Sequence, residues 1–593
     1  MRPTRDGFRR NLDALVFSLA TLDSGPKRSL IALICGVVTG MLMVVFRLVI
    51  EEMQTLFLPG GIAENYEGLP SWACFILPVI GALLIAAIMR RLSTDTRQVG
   101  VVHVMERLSY HRAHLPARNA VWQFLGAMLA IVSGQSVGRE GPSIHLGAAC
   151  SGLISENLRL PRSSQRVLVS CGVAAAIAAS FNTPLAGVVL SMEVIMAEYT
   201  VSSFVPVILA AVSATAVMQV FFGAEPAFHV PPVHLHGLSE IPAILAVGLV
   251  IGIIAVAFIR LIRFLSSSTD GVPLLPRLAI AGVVTGGIAI WVPEVMGIGY
   301  DTVDQMFSGG AGLGVLCLLV VAKILSTAAA IGLGIPAGVI GPTMIIGAAA
   351  GMAMGGLSGH VLFENASSPA FYAVIGMGSM MAATLQAPLA ALTAIVELTA
   401  NPHIIMPGML AIVSAVMISR DGFRCPSVFQ MLLEVRGLTH EVHPMTRYLQ
   451  SIPVNRLMEP AALISYGDVT RNDVIDLIRD RSWVIFVGPD DESRVLTKEE
   501  FECWIDSGRP TDPGATGPGY PGRPSERITL QGDLQEASEL LDRTGTDFLC
   551  VVRASPQGDH YCGIVRRAAI EAYYRDQSGV RDPDSSPSNE EAP

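Results

Sequence analysis

Apolar and polar positions along the chain fall into two regimes. From about Ser29 to Arg420 long apolar stretches are separated by short polar ones, and after Glu441 charge density becomes ordinary. The stretches near 29–50 and 72–89 have close to the length needed for a span; a helix crosses about 30 Å of hydrocarbon with about 20 residues. Further candidate spans lie near 118–134, 204–222, 240–263, 276–292, 312–333, 370–384 and 403–419. Between them are shorter apolar segments cut by Gly and Pro, near 142–155, 166–180, 184–196, 339–357 and 386–399. Several are too short to cross alone. Broken helices at membrane depth persist only where protein or a watery cavity surrounds the freed backbone groups, which points to a transport pathway.

The same punctuation occurs twice. Gly138-Arg-Glu-Gly-Pro-Ser-Ile-His-Leu-Gly-Ala148 aligns with Gly338-Val-Ile-Gly-Pro-Thr-Met-Ile-Ile-Gly-Ala348 at an offset of 200 residues. Ala178-Ala-Ser-Phe-Asn-Thr-Pro-Leu-Ala186 aligns with Ala382-Ala-Thr-Leu-Gln-Ala-Pro-Leu-Ala390 at an offset of 204, which also superposes Glu193 on Glu397. Duplicated halves interrupted in matching places mark transporters whose site lies between the repeats. Equivalent placement of Glu193 and Glu397 favours a structural role for both, such as capping or a dimer-interface hydrogen bond, over transport.

After Glu441 two stretches, 453–506 and 524–576, each read as strand, helix, strand pair, helix. The runs Trp483-Val-Ile-Phe-Val487, Phe548-Leu-Cys-Val-Val552 and Gly563-Ile-Val565 have the form of buried strands. Residues 507–523 form a Pro/Gly-rich loop, 436–452 a linker and 577–593 a polar, disordered tail. The expected fold class is thus an all-α polytopic membrane domain (29–435) with two inverted-topology repeats and broken helices, followed by a soluble α/β domain.

Composition agrees. Only 15% of residues are charged and 51% are hydrophobic, with a mean hydropathy of +0.52, against about 25% charged in average globular chains. A net charge of −10 without basic–aromatic clusters excludes nucleic acid as a partner. Nine scattered cysteines with no CxxC pair argue against a metal site or disulfide framework. The N-terminal segment 1–28 contains Asp13 and Asp23 within its weakly apolar run and reads as a cytoplasmic amphipathic segment rather than a signal peptide. Lys27 and Arg28 before the first span place that end, and with it the C-terminus, in the cytoplasm. Three lysines beside abundant arginine suggest a GC-rich bacterial genome and an inner membrane.

The candidate chemistry centres on Gly138-Arg139-Glu140-Gly141-Pro142, a loop opening onto a helix. The first N–H groups of a helix lack partners and carry the positive dipole end, so they attract an anion. Gly141 permits close approach, and Val339 and Ile340 before Gly341-Pro342 offer donors from the other half. Glu140 beside these donors competes with the anion when ionised and releases the site when protonated or displaced. Lys323 reads equally as a vestibule cation drawing anions inward or as a helix-end lysine snorkelling outward. His145 reads as a satisfied core histidine.

Gly138–Pro142, Gly338–Pro342 and Phe181-Asn-Thr-Pro-Leu-Ala-Gly187 followed by Glu193 resemble the CLC family of chloride channels and chloride/proton exchangers over about residues 30–435. The C-terminal pair resembles tandem CBS (cystathionine-β-synthase) domains. The resemblance implies Glu140 as gating glutamate, anion contacts at Val99, Gly100, Arg139, Gly141, Val339, Ile340 and Phe429, and a homodimer with one pore per subunit. Chloride or a similar anion, protons and the bilayer are the implied partners, with no cofactor and no metal. Two departures stand out. The family's anion-binding Ser matches Val99 in Gln98-Val-Gly-Val-Val102, and its opposing Tyr matches Phe429, so both hydroxyls are missing. The inner proton glutamate of the exchangers, directly after the acid matching Glu193, is Val194, which favours a passive or loosely coupled conductor over an antiporter. In the CBS pattern Gly-apolar-apolar-Ser/Thr-x-x-Asp, the second copy reads Gly563-Ile-Val-Arg566-Arg-Ala-Ala569 and the first offers only Thr497-Lys-Glu-Glu500, so nucleotide binding is unsupported. A membrane-bound sensor signalling through the soluble pair is the reading from another class. No nucleophile or metalloprotease motif supports an enzyme.

Overall fold

The computed structural model describes residues 25–438 except 112, 200, 225–227, 229, 232, 309–311 and 362–366, and further on 446, 449–450, 452–465, 478, 481–487, 492–506, 522–553 and 559–578. They group into two units, one within Ser24–Leu158 and Gln165–Glu441, the other from 159–164 and the residues after Val442.

The larger unit is helical. Its first half runs α1 Gly25–Phe57, α2 Ser71–Arg91, α3 Thr94–Arg97, α4 Gly100–Tyr110, α5 Ala117–Val132, α6 Glu140–Asn157, α7 Arg162–Phe181, α8 Pro184–Leu190 and α9 Val201–Phe222. It continues through α10 Ile241–Ser268, α11 Leu274–Ala289, α12 Tyr300–Phe307, α13 Leu313–Gly332, α14 Ile340–Val361, α15 Pro369–Leu385, α16 Pro388–Thr399, α17 Ile405–Val416 and α18 Val428–Val435. Eight helical stretches among the described residues are long and apolar enough to cross a membrane. Leu30, Val121, Val220 and Val315 leave their side chains exposed on helix surfaces, a pattern costly in water and natural in lipid. Helices α4 and α12 were not anticipated, because they are short and mix polar with apolar residues.

The repeat is visible in the backbone. Helices α6 and α14 begin at equivalent residues, Glu140 and Ile340, and α8 and α16 both begin with Pro, at Pro184 and Pro388. Proline fits there because the first N–H of a helix needs no intrahelical partner. The residues just before these prolines turn back alike: Asn182 and Gln386 both have left-handed φ, at 59° and 57°. The helix pair α6/α7 crosses where Gly147 meets Gly172, and α14/α15 where Gly347 meets Gly376. A β-carbon on any of these four would lie 2.1–2.3 Å from the carbonyl oxygen of its partner glycine. Small residues let helix backbones approach where lipid supplies no hydrophobic drive.

Both halves also cap one another. Glu193, on the π-helical turn Ser191–Met196 that extends α8, accepts from the N–H groups of Leu389 (3.3 Å) and Ala390 (2.8 Å). Glu397 accepts from Leu185 (2.9 Å) and Ala186 (2.7 Å). Each acid therefore satisfies the open N-terminus of the other half's helix, the structural role their equivalence implied.

The smaller unit holds a six-stranded sheet ordered β1 Ala461–Ser465, β2 Trp483–Val487, β3 Ser493–Thr497, β4 Arg523–Thr529, β5 Phe548–Arg553 and β6 His560–Arg566. β1/β2 and β4/β5 pair parallel and the other neighbours antiparallel. Helices α19 Lys498–Asp506, α20 Leu534–Thr544 and α21 Arg567–Ser578 accompany it. Side chains alternate: Val484 and Phe486 enter one core with Ile464 and Phe501, while Ile485 enters another with Phe548 and Ile564. Burial on both faces explains why these strands read as unbroken apolar runs. The helix expected between β1 and β2, most of the 507–523 loop and the tail lie outside the described residues; β4 starts at Arg523, slightly before the expected boundary.

Candidate functional site

The two glycine loops meet at the centre of the helical unit. Gly138 N–H donates to Gly338 O and Gly338 N–H to Gly138 O, both at 2.8 Å, an antiparallel bridge between equivalent residues. A β-carbon on Gly338 would lie 2.6 Å from Gly141 N and 2.8 Å from Gly138 O, so only glycine permits the contact. Gln123 supports the second loop from α5, donating to Pro336 O at 2.9 Å.

Glu140, the first residue of α6, is wholly buried at this junction. Its carboxylate accepts from Gly341 N–H at 3.1 Å and from the hydroxyl of Tyr300. Thus a free N–H at the start of α14 holds the carboxylate of the other half, supplied by Gly341 and not by the expected Val339 or Ile340. Among the described residues no ion pair joins Glu140 to Arg139. Arg139 instead donates to Ser180 O at 2.9 Å, lies over the Tyr300 ring at 5.1 Å, and leaves its Nε buried without a partner.

Two cavities are lined by the chain neighbours of Glu140, Arg139 on one and Gly141 on the other. One, of about 350 Å³, is lined by Arg139, Ser180, Phe181, Tyr300 and several acids including Glu64 and Asp301. The other, of about 770 Å³, is lined by Val99, Gly100, Gly141, Gly338, Val339 and Phe429, with Arg97, Arg277 and Arg436 also on its wall. Val99, Gly100, Gly141, Val339 and Phe429 therefore converge on a single cavity, while Arg139 faces the opposite one. Ile340 lines neither; it sits at the position equivalent to Glu140, buried, and the donor comes from Gly341 one residue later. Val194 is buried on the π-helical turn beside Glu193.

Three residues depart from expectation. Lys323 neither lines a vestibule nor snorkels: it is fully buried and donates to Val295 O (3.0 Å) and Gly297 O (3.5 Å), fixing the loop before α12. His145 is bonded on one side only. Arg107 Nε donates to His103 Nε2 at 3.0 Å, so His103 Nδ1 donates to His145 Nε2 at 3.2 Å, and His145 Nδ1 has no partner. Tyr300 was not anticipated at all. In the smaller unit, Thr497 and Glu500 bond each other's backbone N–H (Glu500 N to Thr497 Oγ1 3.2 Å, Thr497 N to Glu500 Oε2 3.0 Å), so the partial nucleotide pattern forms a helix cap.

In the loop between α1 and α2, outside the spans, the Glu64 and Glu67 carboxyls are each pushed up to about 7, by burial first and the neighbouring Asp301 carboxylate second. Glu64 accepts from Tyr300 N–H at 3.2 Å.

A helical membrane unit built from two interlocked halves, with a buried carboxylate at their junction, defines a transporter. The chain belongs to the voltage gated chloride channel (CLC) family, whose model matches residues 81–420. It is 31% identical over 413 residues to a Ralstonia nicotianae protein named as a ClcB-like chloride channel protein, covering 68% of this chain and 96% of the relative. It is 28% identical over 403 residues to an H+/Cl− exchange transporter ClcA of Vibrio cholerae, covering 66% of this chain and 86% of that one. Among solved structures, a slow cyanobacterial Cl−/H+ antiporter matches with a TM-score of 0.61 at 22% identity, over 70% of this chain and 99% of the other. A eukaryotic CLC transporter matches at 0.59 and 20% identity, over 91% of this chain and 97% of the other. The protein is therefore a multi-pass membrane protein of CLC-type chloride transport, not an enzyme.

Proposed function

We propose that the chain exchanges chloride for protons across a bilayer, with Glu140 as the moving gate. The observation that carries this is the Glu140 carboxylate, wholly buried and held by the Gly341 N–H and the Tyr300 hydroxyl, with its neighbours Arg139 and Gly141 on two different cavities. Ionised, it occupies the donors a dehydrated anion would take, and the path is shut. Protonated, it carries no charge for Gly341 N–H to hold; it leaves, and chloride takes its place on the backbone donors. Returning the proton on the opposite side would couple the two fluxes. The relatives named as H+/Cl− exchangers support this over the passive conductor expected from Val194.

Chloride would reach the gate through the larger cavity, where Arg97, Arg277 and Arg436 share the wall with Glu106 and Asp270 and Arg436 pairs with Glu106 at 3.6 Å, leaving a small excess of positive charge to draw it in. There it meets Val99 and Phe429 in place of hydroxyls, so Gly100, Gly141 and Val339 backbone contacts carry its binding. A bond to a charged group contributes about 1.5–3 kcal/mol, so anion binding in this cavity is weaker than with both hydroxyls present.

Passive conduction remains the second reading, because Val194 is an apolar side chain where exchangers resembling this chain carry an acid. Residues 453–506 and 524–576 we assign as a CBS-like pair, supported by the repeated strand order and by the 91% coverage of the eukaryotic CLC fold. A homodimer with one pore per subunit and cytoplasmic termini complete the assignment. Glu140→Gln in liposomes tests the gate: chloride flux should rise and lose its pH dependence, and an unchanged flux and pH response would remove Glu140 from that role.

A further inference from the structure

Tyr300 supplies the only side-chain donor to Glu140 among the described residues, and its surroundings leave that hydroxyl little freedom. Its N–H is held by Glu64 at 3.2 Å, and the preceding Gly299 turns the chain with a φ of 85°. The ring stacks edge-on against Phe228, with centroids 4.8 Å apart, and lies beside Phe181 at 6.3 Å. The Arg139 guanidinium covers another part of the ring at 5.1 Å. Lys323, from beneath, holds the carbonyls of Val295 and Gly297 that lead into this turn. Tyr300 is thereby fixed from α6, α13 and the loop before α2, while its hydroxyl reaches Glu140.

From this we infer that Tyr300 is a positioning residue that latches the ionised gate shut, and that its hydroxyl sets how readily the gate opens. The inference rests on Glu140 being the gate. Val99 and Phe429 bring no hydroxyl to the larger cavity, whereas Tyr300 places one on the smaller cavity's side of the carboxylate. A hydroxyl donating to a carboxylate favours the ionised form over the protonated one. The latch therefore opposes departure of the ionised carboxylate. The charged groups around it are Arg139 just before α6, Arg47 and Glu51 on α1, Glu64 before α2, and Asp301 and Asp304 on α12. The Lys323 ammonium adds a positive charge from α13. None of these changes when the Tyr300 hydroxyl alone is removed, so the effect of that removal can be separated from theirs.

Tyr300→Phe keeps the ring, its packing and the backbone bond to Glu64, and deletes only the bond to Glu140. Chloride flux from liposomes should be measured between pH 4.5 and pH 8, a range of about the reference carboxyl-to-amine interval, for wild type, Tyr300→Phe, Glu140→Gln and the double variant. Loss of one bond to a charged group predicts a rise in flux of about tenfold to about a hundredfold. The rise should not appear when Tyr300→Phe is added to Glu140→Gln, because the latch has no carboxylate left to hold. If Glu140→Gln raises flux while Tyr300→Phe leaves flux and pH profile unchanged, the latch is refuted and the gate stands. An equal rise from Tyr300→Phe in both backgrounds would mean that the hydroxyl obstructs the path directly, which also overturns the latch. A Glu140→Gln variant with wild-type flux overturns the gate itself, and the latch with it.

Discussion

Gly338→Ala is the most demanding test of the junction on which this account rests. The added methyl would meet Gly141 N at 2.6 Å, Gly138 O at 2.8 Å and Gly138 C at 3.2 Å. All three are backbone atoms of the opposite loop, so no side-chain rotation relieves the contact. Forcing one extra carbon into a packed interior costs about 1–3 kcal/mol. Separating the loops also breaks the two 2.8 Å bonds between Gly138 and Gly338, each worth about 0.5–1.5 kcal/mol. The sum is about 2–6 kcal/mol. The same shift carries Gly341 N–H away from Glu140, so chloride leak should rise along with the loss of stability. Gly287→Ala is the control, since nothing lies within 4 Å of its built β-carbon. Unfolding titrations in mixed micelles and chloride flux in liposomes would be run on both variants. Equal stability and equal flux for the two would refute the packing argument and the claim that the loops position the gate.

Glu193→Gln and Glu397→Gln should each destabilise the helical unit by about 0.5–2 kcal/mol, the usual range for a lost helix cap, and by similar amounts, because each acid serves two N–H groups of the other half. Micelle unfolding of both single variants would show this, and a large effect from one with none from the other would contradict the reciprocal capping. Burial, and after it the Asp301 carboxylate, push the Glu64 carboxyl from its ordinary 4.5 up to about 7. The folded state therefore holds this proton more tightly, and the stability it contributes is full below 4.5 and is lost as pH rises through 7. Thermal midpoints should fall between those limits as pH rises, less steeply in Glu64→Gln; an identical pH profile for the variant would contradict the assignment.

Most of the helical architecture was legible because lipid imposes it. Long apolar runs can only be helices there, and glycine and proline are tolerated only where the backbone turns or touches. The offsets of 200 and 204 residues marked Gly138 with Gly338 and Glu193 with Glu397 as equivalent pairs, but the bridge and the crossed capping needed the two halves packed together. Tyr300 was not legible, because it lies outside both copies of the repeated motif and reaches Glu140 only through the folding of α12 across the junction. The Gly297-Ile-Gly299 turn before it was a signal that a residue there approaches something closely. Lys323 was misjudged for the opposite reason. Seen within its own helix it had no partner, and its partners are carbonyls of a loop 26–28 residues earlier. His103 escaped notice because α4 is short, and the directed chain from Arg107 through it to His145 exists only once α4 packs on α6.

The most direct test of coupled exchange is paired recording of chloride and proton flux from purified protein in liposomes, under a chloride gradient and no proton gradient. Proton movement driven uphill in fixed proportion to chloride, and abolished in Glu140→Gln, is the predicted result. Chloride efflux with no accompanying proton movement would contradict exchange and make the protein a passive conductor, with Val194 as the reason.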